Sequence, residues 1–391
     1  MFSDRTSWRR EPNRLNVLLE SLREKGKTIV DLTISNPTMC GIEYPRMEIL
    51  AALQCERNLH YEPDSRGLLQ AREAVSAYYS GRGRTLSPES VLLTSSTSEG
   101  YSMAMRTLCN AGDNILVPTP SYPLFEYLAK INDVALRHYK IDFDGAWHIV
   151  IESLRDTITD RTRAIVLVNP HNPCGNYLKG NELQSIQQLA REHDLALVVD
   201  EVFLDFPFQD DPQRHGSTVG DSQVLTLTLN GISKTLGLPQ MKVGWIVVDG
   251  PAVAKHEAMG RLEIIADTFL SVNTPVQHAL PQLMTAGVSV RGNIRNRVIS
   301  NYRFLCNRLG GDSAVSLMPA EGGWYAVLRL PRTMTDEEWA IRLLEEQSLY
   351  LHPGYFFDFE VEGYLVMSLL VHPDCMKDAA DHLTGCICSA S

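Results

Sequence analysis

Lys234 stands in the string NGISKTLGLPQMKVGW (230–245), a Gly-bracketed turn after the apolar run VLTLTL (224–229). A lysine held in such a turn and partly desolvated has a lowered pKa, and its amine can condense with an aldehyde. Seen alone, a Ser-Lys pair in a loop is a solvated lysine. Asp200 closes the run LALVVD (195–200). A carboxylate at a buried strand end is costly unless it is paired, and a protonated ring nitrogen is one such partner; capping the next turn is the ordinary alternative. NPHNPCG (169–175) contains two prolines that fix a loop and Gly175, which permits a tight turn, with Asn172 between them. TSSTSEGY (94–101) follows a strand-like run and opens a helical one. Ser96 and Thr97 there combine hydroxyls with free backbone N–H groups, the makings of an anion cradle. Ser96 and Glu99 also have capping-box spacing, and both readings can hold together.

These residues need a scaffold that brings them to one place. From about residue 90 short apolar runs alternate with amphipathic ones: VLLTSS (91–96), NILVPTP (114–120), RAIVLVNP (163–170), LALVVDEVF (195–203), VLTLTL (224–229) and GWIVV (244–248), with helical patterns such as NELQSIQQLAREHD (181–194) between several of them. That alternation predicts an α/β fold, a mostly parallel sheet with helices on both faces. After about residue 285 come long helical patterns (around 289–309 and 335–347) and short alternating strands (324–330 and 364–371), the pattern of a smaller α+β domain. The division expected is 1–45, a segment packing with the small domain; 46–285, the large domain; and 286–391, the small domain. In open parallel sheets ligands bind beyond the carboxyl ends of the strands, and Ser96, Asn172, Asp200, Ser233 and Lys234 all fall there.

The chain has 391 residues, 44% hydrophobic and 21% charged, with a formal net charge of −11. An acidic balance argues against nucleic acid or an anionic membrane as main partner, without excluding a phosphate bound by local dipoles. Eight cysteines occur, at positions 40, 55, 109, 174, 306, 375, 386 and 388, with no repeated CxxC pair. Neither a zinc site nor a disulfide scaffold is expected. Cys386 and Cys388 fall in a small-residue tail and are expected to be frayed thiols. The polar N-terminus carries no apolar signal core and no run is long enough to span a bilayer, so a cytoplasmic protein is expected.

Taken together, the motifs closely resemble those of fold-type I enzymes that use pyridoxal 5′-phosphate (PLP), in the class I/II, aspartate-aminotransferase-like branch. The resemblance runs from DLTISNPT (31–38) to YLVMSLLV (364–371). It implies a seven-stranded-type sheet and PLP held as a Schiff base on Lys234, which also shuttles the proton. Asp200 would pair with the pyridinium nitrogen, and Asn172 would donate to the ring's 3′-oxygen. Tyr122, in PTPSYPLFEYL (118–128), would stack on the ring. Ser96, Thr97, Ser233 and Lys242 would surround the phosphate. Tyr61, in HYEPDSRGLLQAREA (60–74), resembles a Tyr that reaches the phosphate from a neighbouring subunit, which implies a homodimer with shared active sites; the plain alternative is a surface tyrosine.

The chain departs from the family pattern at four places. Phe203 stands where a Tyr usually bonds the 3′-oxygen, a loss expected to raise the imine's pKa. Ser96 and Thr97 replace a small-residue pair. Lys242 replaces a phosphate-binding Arg, keeping the charge and losing the bidentate fork. Val366, in GYLVMSLL (363–370), replaces the Arg that clamps the substrate α-carboxylate. Three readings follow for Val366. Arg329, His352 or Arg46 substitutes for the Arg; the backbone near Ser35 and the side chain of Asn36 hold the carboxylate; or the substrate lacks one. The expected activity is an aminotransferase acting on an amino donor and an oxo acceptor. The alternative is a PLP-dependent lyase, decarboxylase, cyclase or oxidase, and a regulator without catalysis ranks last.

Overall fold

The computed structural model describes residues 1–8, 11–309 and 314–388. One eight-stranded sheet carries the large domain. Its strands are β1 (Val91–Thr94), β2 (Asn114–Thr119), β3 (Ala135–Phe143), β4 (Trp147–Ile149), β5 (Thr162–Val168), β6 (Ala196–Asp200), β7 (Thr226–Gly231) and β8 (Gly244–Asp249), in the order β1-β8-β7-β6-β5-β2-β3-β4. β3, β2, β5, β6 and β7 pair in parallel. β8 runs antiparallel to both its neighbours, and β4 returns antiparallel on β3.

The central strands are apolar on both faces because helices cover both. Val166, Val198, Leu227 and Leu229 point to one layer with Met103 and Leu262. Their chain neighbours Ile165, Leu167, Leu197 and Val199 point to the other, with Leu183 and Ile186. These are the period-2 sides of one buried sheet, and each fully buried Leu or Val contributes roughly 1.5–3 kcal/mol. The covering helices include α1 (Thr97–Leu108), α2 (Gly180–Glu192) and α3 (Ala252–Phe269).

A second sheet, β9 (Ser316–Leu317), β10 (Tyr325–Arg329), β11 (His352–Pro353) and β12 (Tyr364–Ser368), is antiparallel in the order β9-β10-β12-β11. α5 (Asp336–Gln347), which starts on a capping box from Thr335 to Glu338, packs against it with the C-terminal helix α6 (Pro373–Cys388). Leu15, Leu19 and Leu22 of the helix Arg14–Glu24 join the same cluster, and Val30–Asp31 pairs in parallel with Leu349–Tyr350.

Several features differ from the expectation. The sheet has eight strands, and β3 with its hairpin partner β4 was not among the expected runs. β3 lies near the sheet edge and buries only alternate residues, Tyr139 and Ile141, so its sequence ALRHYKIDF reads as polar. The helix expected around 289–309 is the second half of α4 (Thr274–Arg308), 35 residues long. Its first half packs Val276, Leu280 and Leu283 on the large domain and its second packs Val290, Ile294 and Val298 on the small one, so it passes unbroken through residue 285. Cys386 is not frayed: it is 3% exposed in α6, within the small-domain cluster. The side chain of Cys388 lies outside the described residues.

Candidate active site

The carboxyl ends of the parallel strands open into a cavity of about 430 Å³ that the small domain closes from above, within the usual range for small-molecule sites. β6 delivers Asp200 to its wall, and β7 leads into the single helical turn Ile232–Thr235 that presents Ser233 and Lys234. The loop after β5 contributes Asn172, and the start of α1 contributes Ser96 and Thr97. Tyr122, Lys242 and Ser35 also line it. From the small domain come Tyr325, His352 and Phe357. Asn36 and Tyr61 lie outside this wall. Asn36 is exposed and accepts from Thr38 N and Oγ1 as the cap of a short turn. Tyr61 is 74% exposed and borders a separate surface cleft with Glu99 and Phe269.

Lys234 has its pKa lowered to about 8, because burial disfavours the ammonium form; Asp200 pulls the other way. Its Nζ lies 5.0 Å from the ring centroid of Trp324 and 5.8 Å from that of Phe203. Asp200 has its pKa raised to about 6 by burial, opposed by the Val202 N–H, the Tyr101 hydroxyl and the charge of Lys234. The cavity thus holds an amine that readily loses its proton beside a carboxylate that is mostly ionised at neutral pH. Such opposed shifts in one cleft mark functional sites.

Tyr101 was not singled out from the sequence. Its hydroxyl donates to Asp200 Oδ2 at 2.9 Å. The signal was present in helical spacing: Thr97 and Tyr101 are four residues apart on α1 and share a face.

Ser96 caps α1, its Oγ accepting from Glu99 N at 3.1 Å. Glu99 Oε2 reaches back to Ser95 N at 2.6 Å. The cap uses Ser96 Oγ only as acceptor, so its proton remains available to a ligand. Two glycines keep the backbone tight here. A Cβ on Gly244 would lie 3.1 Å from the Ser96 carbonyl carbon, and one on Gly231 would lie 2.8 Å from Val243 O. Lys242 occupies the left-handed region (φ 56°) at the mouth.

The loop bearing Asn172 is locked to the small domain. Gly175 (φ 75°) accepts from Glu321 N and Gly322 N at 3.1 and 3.0 Å, and a Cβ there would meet Gly322 O at 2.6 Å. Among the described residues the buried Asn172 Oδ1 has no hydrogen-bond partner, an expensive state unless a donor supplies one.

Val366 is fully buried in an apolar cluster with Val327 and Phe357. His352 pairs with it across β11 and β12, so the two side chains stand on one face, and the His352 ring reaches the cavity. Of the three side chains considered as substitutes for the Arg, Arg46 and Arg329 are exposed and only His352 lines the wall. Burial lowers the His352 pKa, with Asp31 opposing.

Behind Asp200, Glu201 is fully buried and accepts from Ser217 Oγ (2.7 Å), Thr218 N (2.7 Å) and Thr218 Oγ1 (3.0 Å). Burial pushes its pKa up from 4.5 to about 7 despite those donors. The folded state therefore binds this proton more tightly, and the stability it contributes falls as pH rises from about 4.5 to 7. Glu201→Gln has no such titration, so its destabilisation should be largest near pH 5 and smaller at pH 8, as thermal melts at the two pH values would show.

Comparison with known proteins places this arrangement. The family model described as aminotransferase class I and II matches residues 27–383. The glutamate-pyruvate aminotransferase AlaA of Escherichia coli K12 is 34% identical over 260 residues, covering 66% of this chain and 64% of that protein, so the match spans under two thirds of the relative. The Haemophilus influenzae protein of the same name is 29% identical over 376 residues, covering 93% of this chain and 91% of its own. Among solved structures, an Escherichia coli aminotransferase matches with a TM-score of 0.86 at 26% identity over 98% of this chain and 97% of its own. An alanine aminotransferase from Pyrococcus furiosus matches over the full length of both chains with a TM-score of 0.90 at 23% identity, a likeness of fold. The chain belongs to the class I and II aminotransferase family.

Proposed function

We propose that the protein is a PLP-dependent transaminase working on a small amino donor and an oxo acceptor. The observation that carries this reading is Lys234, half-buried, its pKa lowered to about 8, and sharing one cavity with Asp200 and Asn172. The donor set fits the cofactor. Asn172 brings a side-chain amide whose Nδ2 can donate, Asp200 keeps a carboxylate at the wall, and hydroxyls, a helix N-terminus and Lys242 form an anion-binding end. In this reading Asn172 holds the phenolic oxygen, Asp200 the ring nitrogen, Tyr122 the ring face, and Ser96, Thr97, Ser233 and Lys242 the phosphate. When bound, PLP supplies an aldehyde carbon for amines and a ring that takes up an electron pair.

The protein's own residues do the rest. Lys234 Nζ, half-titrated near pH 8, can take up and return a proton at neutral pH, and would serve as the general acid and base if the cofactor and donor were bound beside it. Asp200 stays charged and so favours a protonated ring nitrogen. Tyr122, Phe357 and Tyr325 exclude water, and Ser35 with His352 faces the end where a substrate's carboxylate or its replacement lies. Several relatives are named for glutamate-pyruvate, alanine or tyrosine transamination, and we propose a donor in that range or a related small amine. No relative found favours the lyase, decarboxylase, cyclase or oxidase alternative.

We also propose a homodimer in which Tyr61 reaches the partner's phosphate end, supported by its exposure beside Leu59 (84%) and Phe269 (61%). A cytoplasmic location is proposed too; among the described residues no helix is long and apolar enough to cross a membrane.

Half-reaction spectroscopy tests the activity. A donor such as L-alanine or L-glutamate should replace the cofactor's aldehyde absorbance by that of its amine form, with one equivalent of oxo acid released. If no amino compound in a broad panel does so, the reading fails.

A further inference from the structure

The carboxylate of Asp200 is engaged on both oxygens from within the chain. Val202 N donates to Oδ1 at 3.0 Å, and the Tyr101 hydroxyl donates to Oδ2 at 2.9 Å. Tyr101 is 3% exposed and lines the cavity one turn into α1. Its ring is fixed by edge contact with Phe125 (5.2 Å, 82°), and Phe125 meets Tyr122 edge-on (6.2 Å, 90°). The hydroxyl is therefore aimed by packing rather than by chance rotation. Each carboxylate oxygen accepts along two directions, so Asp200 can still take a donor from the cavity while both oxygens are held.

We propose that Tyr101 is a positioning residue for the amino-transfer chemistry: its hydroxyl orients the Asp200 carboxylate and favours its ionised form. This rests on the PLP reading above, in which that carboxylate faces the ring nitrogen.

The groups around the pair support it. Lys234 faces Asp200 from the turn after β7, while Tyr122 and Tyr139 face Tyr101. Burial and the neighbouring Asp200 hold the Tyr101 proton on well above its ordinary range, so the phenol acts as a permanent donor. Hydrogen bonds to a charged form stabilise it, and against the desolvation at Asp200 the phenol and Val202 N supply that stabilisation. Phe203, three residues along, has no hydroxyl to share the task. Among the described residues Tyr101 is the one phenol hydrogen-bonded to Asp200.

The test combines a titration with a double-mutant cycle. The Asp200 carboxyl signal, followed by ¹³C NMR in cofactor-free protein and assigned by its disappearance in Asp200→Asn, should titrate at higher pH in Tyr101→Phe. In loaded enzyme Tyr101→Phe should cost about tenfold to a hundredfold in kcat, the effect of one hydrogen bond to a charged group. In an Asp200→Asn background the same change should cost nothing further. Should Tyr101→Phe fold poorly, 3-fluorotyrosine at position 101, a stronger donor of nearly the same shape, should move the Asp200 midpoint down. An unmoved midpoint, or an equal cost in both backgrounds, overturns the proposal, since a purely structural tyrosine would behave that way. If the wild-type protein takes up no PLP, the functional reading fails instead, and the cofactor-free titration still decides whether Tyr101 acts on Asp200.

Discussion

Lys234→Ala is expected to remove essentially all amino transfer, a loss on the order of 10⁴-fold in kcat, the upper end of what one general acid–base group supplies. The loss follows from position as much as from chemistry. Among the described residues Lys242 is the one other lysine lining the cavity, and it sits exposed at its mouth. The same variant carries a stability signature that separates it from a simple folding defect. Burial lowers the Lys234 pKa from 10.5 to about 8, so between those values the unfolded chain binds more protons than the folded one. Stability contributed by Lys234 is therefore present above about pH 10.5 and is lost as pH falls through 8. Cofactor-free Lys234→Met, which fills the space without the charge, should melt higher than the parent at pH 7, with the gap narrowing toward pH 10.5. A variant that is inactive and less stable at every pH would point to misfolding.

Asp200→Asn is the second large effect. Removing a fixed charge aimed at the reacting system costs about 10²–10³-fold in rate, and among the described residues this carboxylate is the one acidic group lining the cavity. Two titrations should change with it. Asp200 raises the pKa of Lys234 against burial, so the Lys234 midpoint should drop further in Asp200→Asn. The Asp200 pKa is raised from 3.8 to about 6, so the parent loses stability as pH rises across that window. Asp200→Asn should lack that slope. An Asp200→Asn enzyme with full activity and an unshifted Lys234 midpoint would show that the two groups do not communicate.

The parts of the site written in short strings were legible in the sequence. Lys234 sits in a turn whose composition restricts it, Asp200 ends an unbroken apolar run, and Ser96 and Thr97 mark a strand-to-helix junction. Each is a local signal, and the rule that ligands bind beyond strand ends gathers them. What was hidden depends on pairing between distant segments. β3 is polar because it lies near a sheet edge and buries alternate residues only, so no periodicity window of buried-strand type finds it. His352 could not be preferred to Arg329 without the register that places it opposite Val366. Tyr101 reads as a core aromatic on an amphipathic helix until β6 brings Asp200 within 2.9 Å. The course of α4 through residue 285 was masked for a similar reason: one helix packs on two clusters in succession, so its apolar face changes partner without a break in period.

The account depends most on a covalent bond between the Lys234 amine and the cofactor's aldehyde. Purified protein incubated with PLP and reduced with borohydride should yield, after proteolysis and mass spectrometry, one phosphopyridoxyl-modified peptide spanning residue 234, absent from Lys234→Ala. Label on another lysine such as Lys242, or none at all, would contradict the account.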